Sequence, residues 1–104
     1  MIRHIVLFQF KPDTPEEEKA KLVKNLEALF DSIKEIEAFE SGTNCSHENL
    51  DRGFTHIFLL TFKDEAARDT YVDHAEHKKF IEENLASVGS ILVVDYANKG
   101  PLSR

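Results

Sequence analysis

Two segments of this 104-residue chain, Ile5-Val6-Leu7-Phe8 near the start and Ile91-Leu92-Val93-Val94 near the end, are apolar at every position. A β-strand sends successive side chains to opposite faces, so a strand that is apolar throughout asks for cover on both sides. Most small folds cannot meet that demand with one chain. The rest of the sequence must be read for what could supply the cover.

Ile2 to Phe10 predicts a strand with His4, Val6, Phe8 and Phe10 on one face and Ile5 and Leu7 on the other. Lys11-Pro12-Asp13 is a turn, and three signals then start a helix. Thr14 is placed to cap it, Pro15 suits its first position, and Glu16, Glu17 and Glu18 sit at the positive end of its dipole. Leu22, Leu26, Leu29, Ile33 and Ile36 follow as one apolar stripe over about four turns. A second strand is expected over Ala38–Ser46, interrupted at Ser41-Gly42, followed by a polar loop from Ser46 to Gly53. Phe54–Phe62 predicts a third strand, with Phe54, His56, Phe58, Leu60 and Phe62 on one face and Thr55, Ile57, Leu59 and Thr61 on the other. Asp64 is placed to cap a second helix that turns Ala67, Tyr71 and His74 inward. A short helix continues through His77, Phe80, Ile81 and Leu85, and Ser90–Tyr96 makes the last strand. The expectation is one domain over residues 1–97 with a tail at 98–104.

The order β-α-β-β-α-β predicts an α+β, ferredoxin-like fold: an antiparallel four-stranded sheet with its helices on one face. Two helices cover only one face. The other, expected to carry Ile5, Leu7, Ile57, Leu59, Ile91 and Val93, needs a partner. A second copy packed sheet on sheet, a dimeric α+β barrel, is the simplest one.

Charge and cysteine usage narrow the function classes. Nineteen acidic residues against thirteen basic ones give a net charge of −6, and no basic stripe exists. Nucleic acid and acidic membrane surfaces are therefore not expected partners. No apolar run approaches the roughly 20 residues of a membrane span. Cys45 is the only cysteine and the first residues read as a strand rather than a secretion signal, so a cytoplasmic location is expected. G-x-S-x-G, phosphate-loop and dinucleotide motifs are absent.

What remains is a set of polar side chains on an apolar face. His4 and His56 share the parity of the large phenylalanines of their strands, His77 lies on the helix face of Phe80, and Tyr71 turns inward from the preceding helix. These four are expected to converge between helices and sheet, with Phe8, Phe58, Leu26 and Phe80 as apolar walls. A greasy layer tolerates that many polar tips only if they are used or if they face a cavity. His74-x-x-His77 has a spacing that can bind metal, but no cysteine pair accompanies it and no carboxylate is aimed at the same point. His47-Glu48-Asn49-Leu50 lacks the second histidine of a zincin motif. Neither metal nor cofactor is expected. Two readings stay open: a small-molecule pocket with general acid–base capacity, and a non-catalytic stress or assembly protein whose histidines are structural. Haem or quinol monooxygenase chemistry is a third, by fold analogy alone.

IRHIVLFQFK at 2–11, ENLDRGFTHIF at 48–58, YVDHAEHKKF at 71–80 and ILVVDY at 91–96 together resemble the stress-responsive A/B barrel domain (Dabb) family, in the family's order. The resemblance implies homodimerisation through the sheets and, for most members, no assigned reaction. It also implies a comparison with one plant branch that closes a linear polyketide by aldol condensation. There, a histidine at the place of His77 and a tyrosine at the place of Tyr71 are catalytic, and histidines at the places of His4 and His56 line the pocket. Two features depart from the pattern. His74-Ala75-Glu76-His77 replaces the usual His-Pro-x-His, and Leu26 stands near a pocket tyrosine of the cyclase branch.

Overall fold

The computed structural model describes all 104 residues. In chain order it contains β1 (Ile2–Phe10), α1 (Glu16–Glu27), the single turn α2 (Leu29–Ser32), β2 (Ile36–Thr43), β3 (His56–Phe62), α3 (Glu65–Asp73), α4 (Ala75–Asn84), a 3-10 turn (Leu85–Ser87) and β4 (Val88–Ala97). The strands lie in the order β2-β3-β1-β4 with every neighbouring pair antiparallel. This is the ferredoxin-like α+β arrangement expected from the sequence.

The helix–sheet core gathers Leu22, Leu26 and Leu29 against Phe58, Leu60 and Phe62, whose exposure is at most 1%. Asp64 caps α3, its carboxylate accepting from the Ala67 amide at 2.9 Å. Thr14 does not cap α1. Its hydroxyl donates to the Lys11 carbonyl at 2.7 Å, and Pro15 is itself the residue that precedes the first turn.

The long apolar stripe is not one helix. α1 stops at Glu27, α2 adds one turn, and Ile33 is already extended at φ −122°, ψ 99°. Ile33 and Ile36 are nonetheless buried, because the chain dips into the core as it turns into β2. Apolar spacing records burial, and a corner that follows a helix prolongs the pattern without prolonging the helix. β2 therefore begins at Ile36 rather than Ala38. It ends at Thr43, short of the expected Ser46. From there Asn44 bonds Asp51 at 2.9 Å and the Ser46 amide at 3.0 Å, closing the chain into a loop.

The facing of β4 also corrects the expectation. Val6 pairs with Val93 and Phe8 with Ile91, so Ile91 and Val93 lie on the helix side. The open face instead presents Leu92, Val94 and Tyr96 beside Ile5, Leu7, Ile57 and Leu59. A strand apolar at every position carries no parity of its own, so its pairing with β1 decides which residues face which way. β4 is bare on both sides: Ile91, Leu92, Val93 and Val94 are 43–49% exposed.

Candidate functional site

Beneath the helices, on the β4 side of the sheet, lies a cavity of about 270 Å³. β1 contributes His4, Val6 and Phe8, β4 contributes Ile91 and Val93, and the helices contribute Leu26, Tyr71, His77 and Phe80. The wall is apolar except for the tips of His4, Tyr71 and His77. A cavity of about 150 Å³ lined by Leu, Ile and Phe is enough to bind benzene, so this one has room for a ring and a substituent.

His77 sits where α3 turns into α4. The corner is made by His74, whose Nδ1 accepts from the Glu76 amide at 3.1 Å and caps α4. Ala75 then takes the first helical position, the one at which a proline would fit, so the turn forms without the family's usual proline. His77 Nδ1–H donates to the Val72 carbonyl at 3.0 Å, five residues back across the corner. A carbonyl only accepts, so this bond fixes the tautomer and leaves Nε2 as the lone-pair nitrogen of the neutral ring. Burial lowers the His77 pKa, and His4 and His74 nearby lower it further, while the Val72 carbonyl opposes the shift. His77 is thus a free base at neutral pH.

Tyr71 is 2% exposed, with its ring 4.4 Å from that of His77 and 5.7 Å from that of His4, centroid to centroid. Its hydroxyl has no protein partner, yet no buried side-chain polar atom is sealed off unsatisfied. The hydroxyl oxygen therefore reaches the cavity space. Burial pushes its pKa up, which keeps the O–H protonated.

His4 is buried on β1, with Nδ1 2.7 Å from Asp95 Oδ1 on β4. The other Asp95 oxygen accepts from Arg68 Nη1 of α3 at 3.1 Å. Arg68 also reaches Asp69 at 3.0 Å and Glu65 at 3.7 Å. This bridge from α3 to β4 is absent from the sequence reading. Asp95 carried no usable signal, because it shares the parity of Ile91 and Val93 and only the register with β1 decides which face that parity takes.

The structure brings together His4, Tyr71, His77, Phe8, Leu26 and Phe80, and leaves out two of the residues expected with them. His56 packs edge-on against Phe10 at 4.9 Å, and its Nδ1 lies 2.8 Å from the Thr55 hydroxyl. Partial burial lowers its pKa and Lys19 adds to that, with Glu16 opposing. Phe58 sits behind Phe8 at 5.4 Å, in the solid core. Strand parity places His4 and His56 on one face. It does not say how far apart they lie along that face, and the cavity occupies only the β1–β4 side. No three His, Cys, Asp or Glu side chains converge as a metal site would require.

The ferredoxin-like fold is shared with solved proteins. A protein of Arabidopsis thaliana, At3g17210, superposes with a TM-score of 0.91 at 33% identity, covering 99% of this chain and 100% of that one. A dimeric ferredoxin-like protein of unknown function from Jannaschia sp. CCS1 superposes with a TM-score of 0.79 at 26% identity, covering 93% of this chain and 98% of the other. Within that fold the chain belongs to the stress responsive A/B barrel domain family, whose profile it matches over residues 2–98. The Arabidopsis stress-response A/B barrel domain-containing protein HS1 is 36% identical over 95 residues, which is 91% of this chain and 87% of the relative. Olivetolic acid cyclase of Cannabis sativa is 24% identical over 95 residues, 91% of this chain and 94% of the relative. No helix is long and apolar enough to cross a membrane.

Proposed function

We propose that this protein is a cytoplasmic homodimer that holds a small, mainly apolar ligand in the cavity beside His4, Tyr71 and His77. The observation that carries this reading is the Tyr71 hydroxyl, on a side chain that is 98% buried, with no protein partner and reaching the cavity space. An apolar cavity with a few convergent polar atoms is the usual form of a small-molecule site. Dimerisation through the open sheet face is supported by Ile5, Leu7, Leu92 and Val94, which no element of the chain covers. It is supported too by the dimeric state named for ferredoxin-like neighbours. The exposed, unpaired Cys45 suits a reducing compartment.

A second reading, cofactor-independent acid–base catalysis of a cyclase or lyase kind, is favoured by the Tyr71–His77 pair. His77 Nε2 would take a proton from a ligand, and the Tyr71 O–H would polarise its oxygen. The likeness to olivetolic acid cyclase supports the same assignment, while Leu26 offers no hydrogen bond of its own. The reaction class would then resemble the relative's without sharing its substrate.

Thermal unfolding at fixed protein concentration, with a panel of aromatic and β-keto compounds, tests the reading. A ligand at about 100 times its dissociation constant stabilises by about 2.7 kcal/mol, a shift of many degrees for a domain of this size. The shift is expected in the wild type, and is expected to vanish in Leu26→Phe, which fills the cavity. No shift across the panel would favour a non-catalytic assembly role with structural histidines.

A further inference from the structure

The polar atoms that face the cavity do not suit every oxygen-bearing ligand equally. His77 spends its Nδ1–H on the Val72 carbonyl, and His4 directs its Nδ1 at the Asp95 carboxylate. A carbonyl and a carboxylate are both acceptors, so in each neutral ring Nδ1 carries the proton and Nε2 carries a lone pair. Neither Nε2 has a protein hydrogen-bond partner, and neither is sealed in apolar packing, so both are open to an occupant of the cavity. Tyr71, whose ring neighbours both imidazoles, adds one hydroxyl. The inventory is two acceptors and one O–H. No lysine or arginine lines the cavity, and Arg68 is spent on Asp95, Asp69 and Glu65.

We infer that the cavity selects a neutral ligand that brings its own hydroxyl donor on a small unsaturated body, a phenol or an enol, against the corresponding ether, hydrocarbon and carboxylate. This rests on the cavity being a ligand site. It sharpens that reading by replacing a bare carbonyl group with a hydroxyl. A carbonyl oxygen can use only the Tyr71 O–H and leaves both imidazole lone pairs unmatched. A hydroxyl on a ring or enol is more acidic than an alcohol and bonds an imidazole nitrogen better, while accepting from Tyr71 on its own lone pair. A carboxylate brings no donor and meets Asp95 nearby with like charge. Asp95 acts as a positioning residue, because its acceptor oxygen keeps the His4 proton on Nδ1. Arg68 holds Asp95 in turn.

The order of binding within one ring series tests the inference. A cavity without this hydrogen-bond pattern prefers toluene to phenol, since the phenol hydroxyl would lose water and gain nothing. Phenol, toluene, anisole and benzoate are titrated into the full-length protein, with dissociation constants read from ligand-induced NMR shifts. Phenol is expected to bind about tenfold more tightly than toluene or anisole, the worth of roughly one hydrogen bond, and benzoate more weakly than all three. The double variant His4→Leu/His77→Leu is expected to reverse the phenol–toluene order. Asp95→Asn is expected to narrow it and to move the His4 ring nitrogen resonances away from the Nδ1–H tautomer, because an amide can donate as well as accept. Toluene equal to or tighter than phenol in the wild type would overturn the hydrogen-bond pattern while leaving the cavity as a site. So would a phenol preference that survives the loss of both imidazoles. If none of the four binds, the cavity is not a ligand site, and both readings fall together.

Discussion

β3 and β4 are built from the same kinds of residue and have opposite fates. On β3, Phe58, Leu60 and Phe62 are sealed beneath the helices, and Ile57 and Leu59 on the far side are already half covered. On β4, Ile91 to Val94 are exposed on both sides. The difference is position: β3 lies inside the sheet and β4 is an edge that the helices cover only partly. Apolar residues under full cover make a core. The same residues under partial cover make one wall of a cavity on the helix side and a bare apolar face on the other. The chemistry gathers at that second place. His4, Tyr71 and His77 meet there, while His56, under the better-packed region beside Phe10, does not join them.

The largest test of the contrast is truncation. Phe62→Ala is expected to cost about 3–5 kcal/mol in urea unfolding, as deep core truncations do. Val93→Ala is expected to cost about 1 kcal/mol or less, because its side chain is half exposed and already faces a cavity. Equal costs would break the comparison. Next comes Leu92→Asp on the open face. A carboxylate placed in an apolar sheet-to-sheet interface loses its solvation, so dimer dissociation is expected to rise by about a hundredfold or more. Sedimentation equilibrium reads this directly, and an unchanged association constant would move the interface elsewhere. Asp64→Ala removes the cap of α3, the helix that carries both Tyr71 and Arg68. About 1 kcal/mol is expected from that loss.

The smallest effect is that of pH. Both His77 and His56 have pKa values lowered from the ordinary 6.5. Below pH 6.5 the unfolded chain therefore binds more protons than the folded one, and stability falls as pH falls through that range. His77→Gln is expected to flatten the profile between pH 7.5 and the lowered folded value, read by urea unfolding at each pH. A profile that steepens instead would reverse the sign assigned to His77.

Much of this contrast is legible in the amino-acid sequence, and the part that is not has a definite cause. Alternation along Phe54–Phe62 identifies both the strand and its inward face, because one face of β3 is aromatic and the other mixed. The same reasoning fails on Ile91–Val94, where every position is apolar and only the register with β1 separates cavity wall from open face. The stripe from Leu22 to Ile36 foretells burial correctly and helix length incorrectly, since Ile33 and Ile36 are buried at a corner. At the site, Tyr71 and His77 are readable from helical spacing and His4 from strand parity. Asp95 and Arg68 are not, because their meeting depends on how α3 crosses the sheet toward β4. His56 is the converse: its parity is right and its place along the sheet is not.

Methyl-resolved NMR during titration with phenol tests most directly whether partial cover of β4 creates a binding cavity. The methyl groups of Leu26, Ile91, Val93 and Leu85, which also lines the cavity, are expected to shift together and saturably, while those of Ile57, Leu59, Leu92 and Val94 stay in place. Shifts confined to the open-face residues, or none at any concentration, would contradict that expectation.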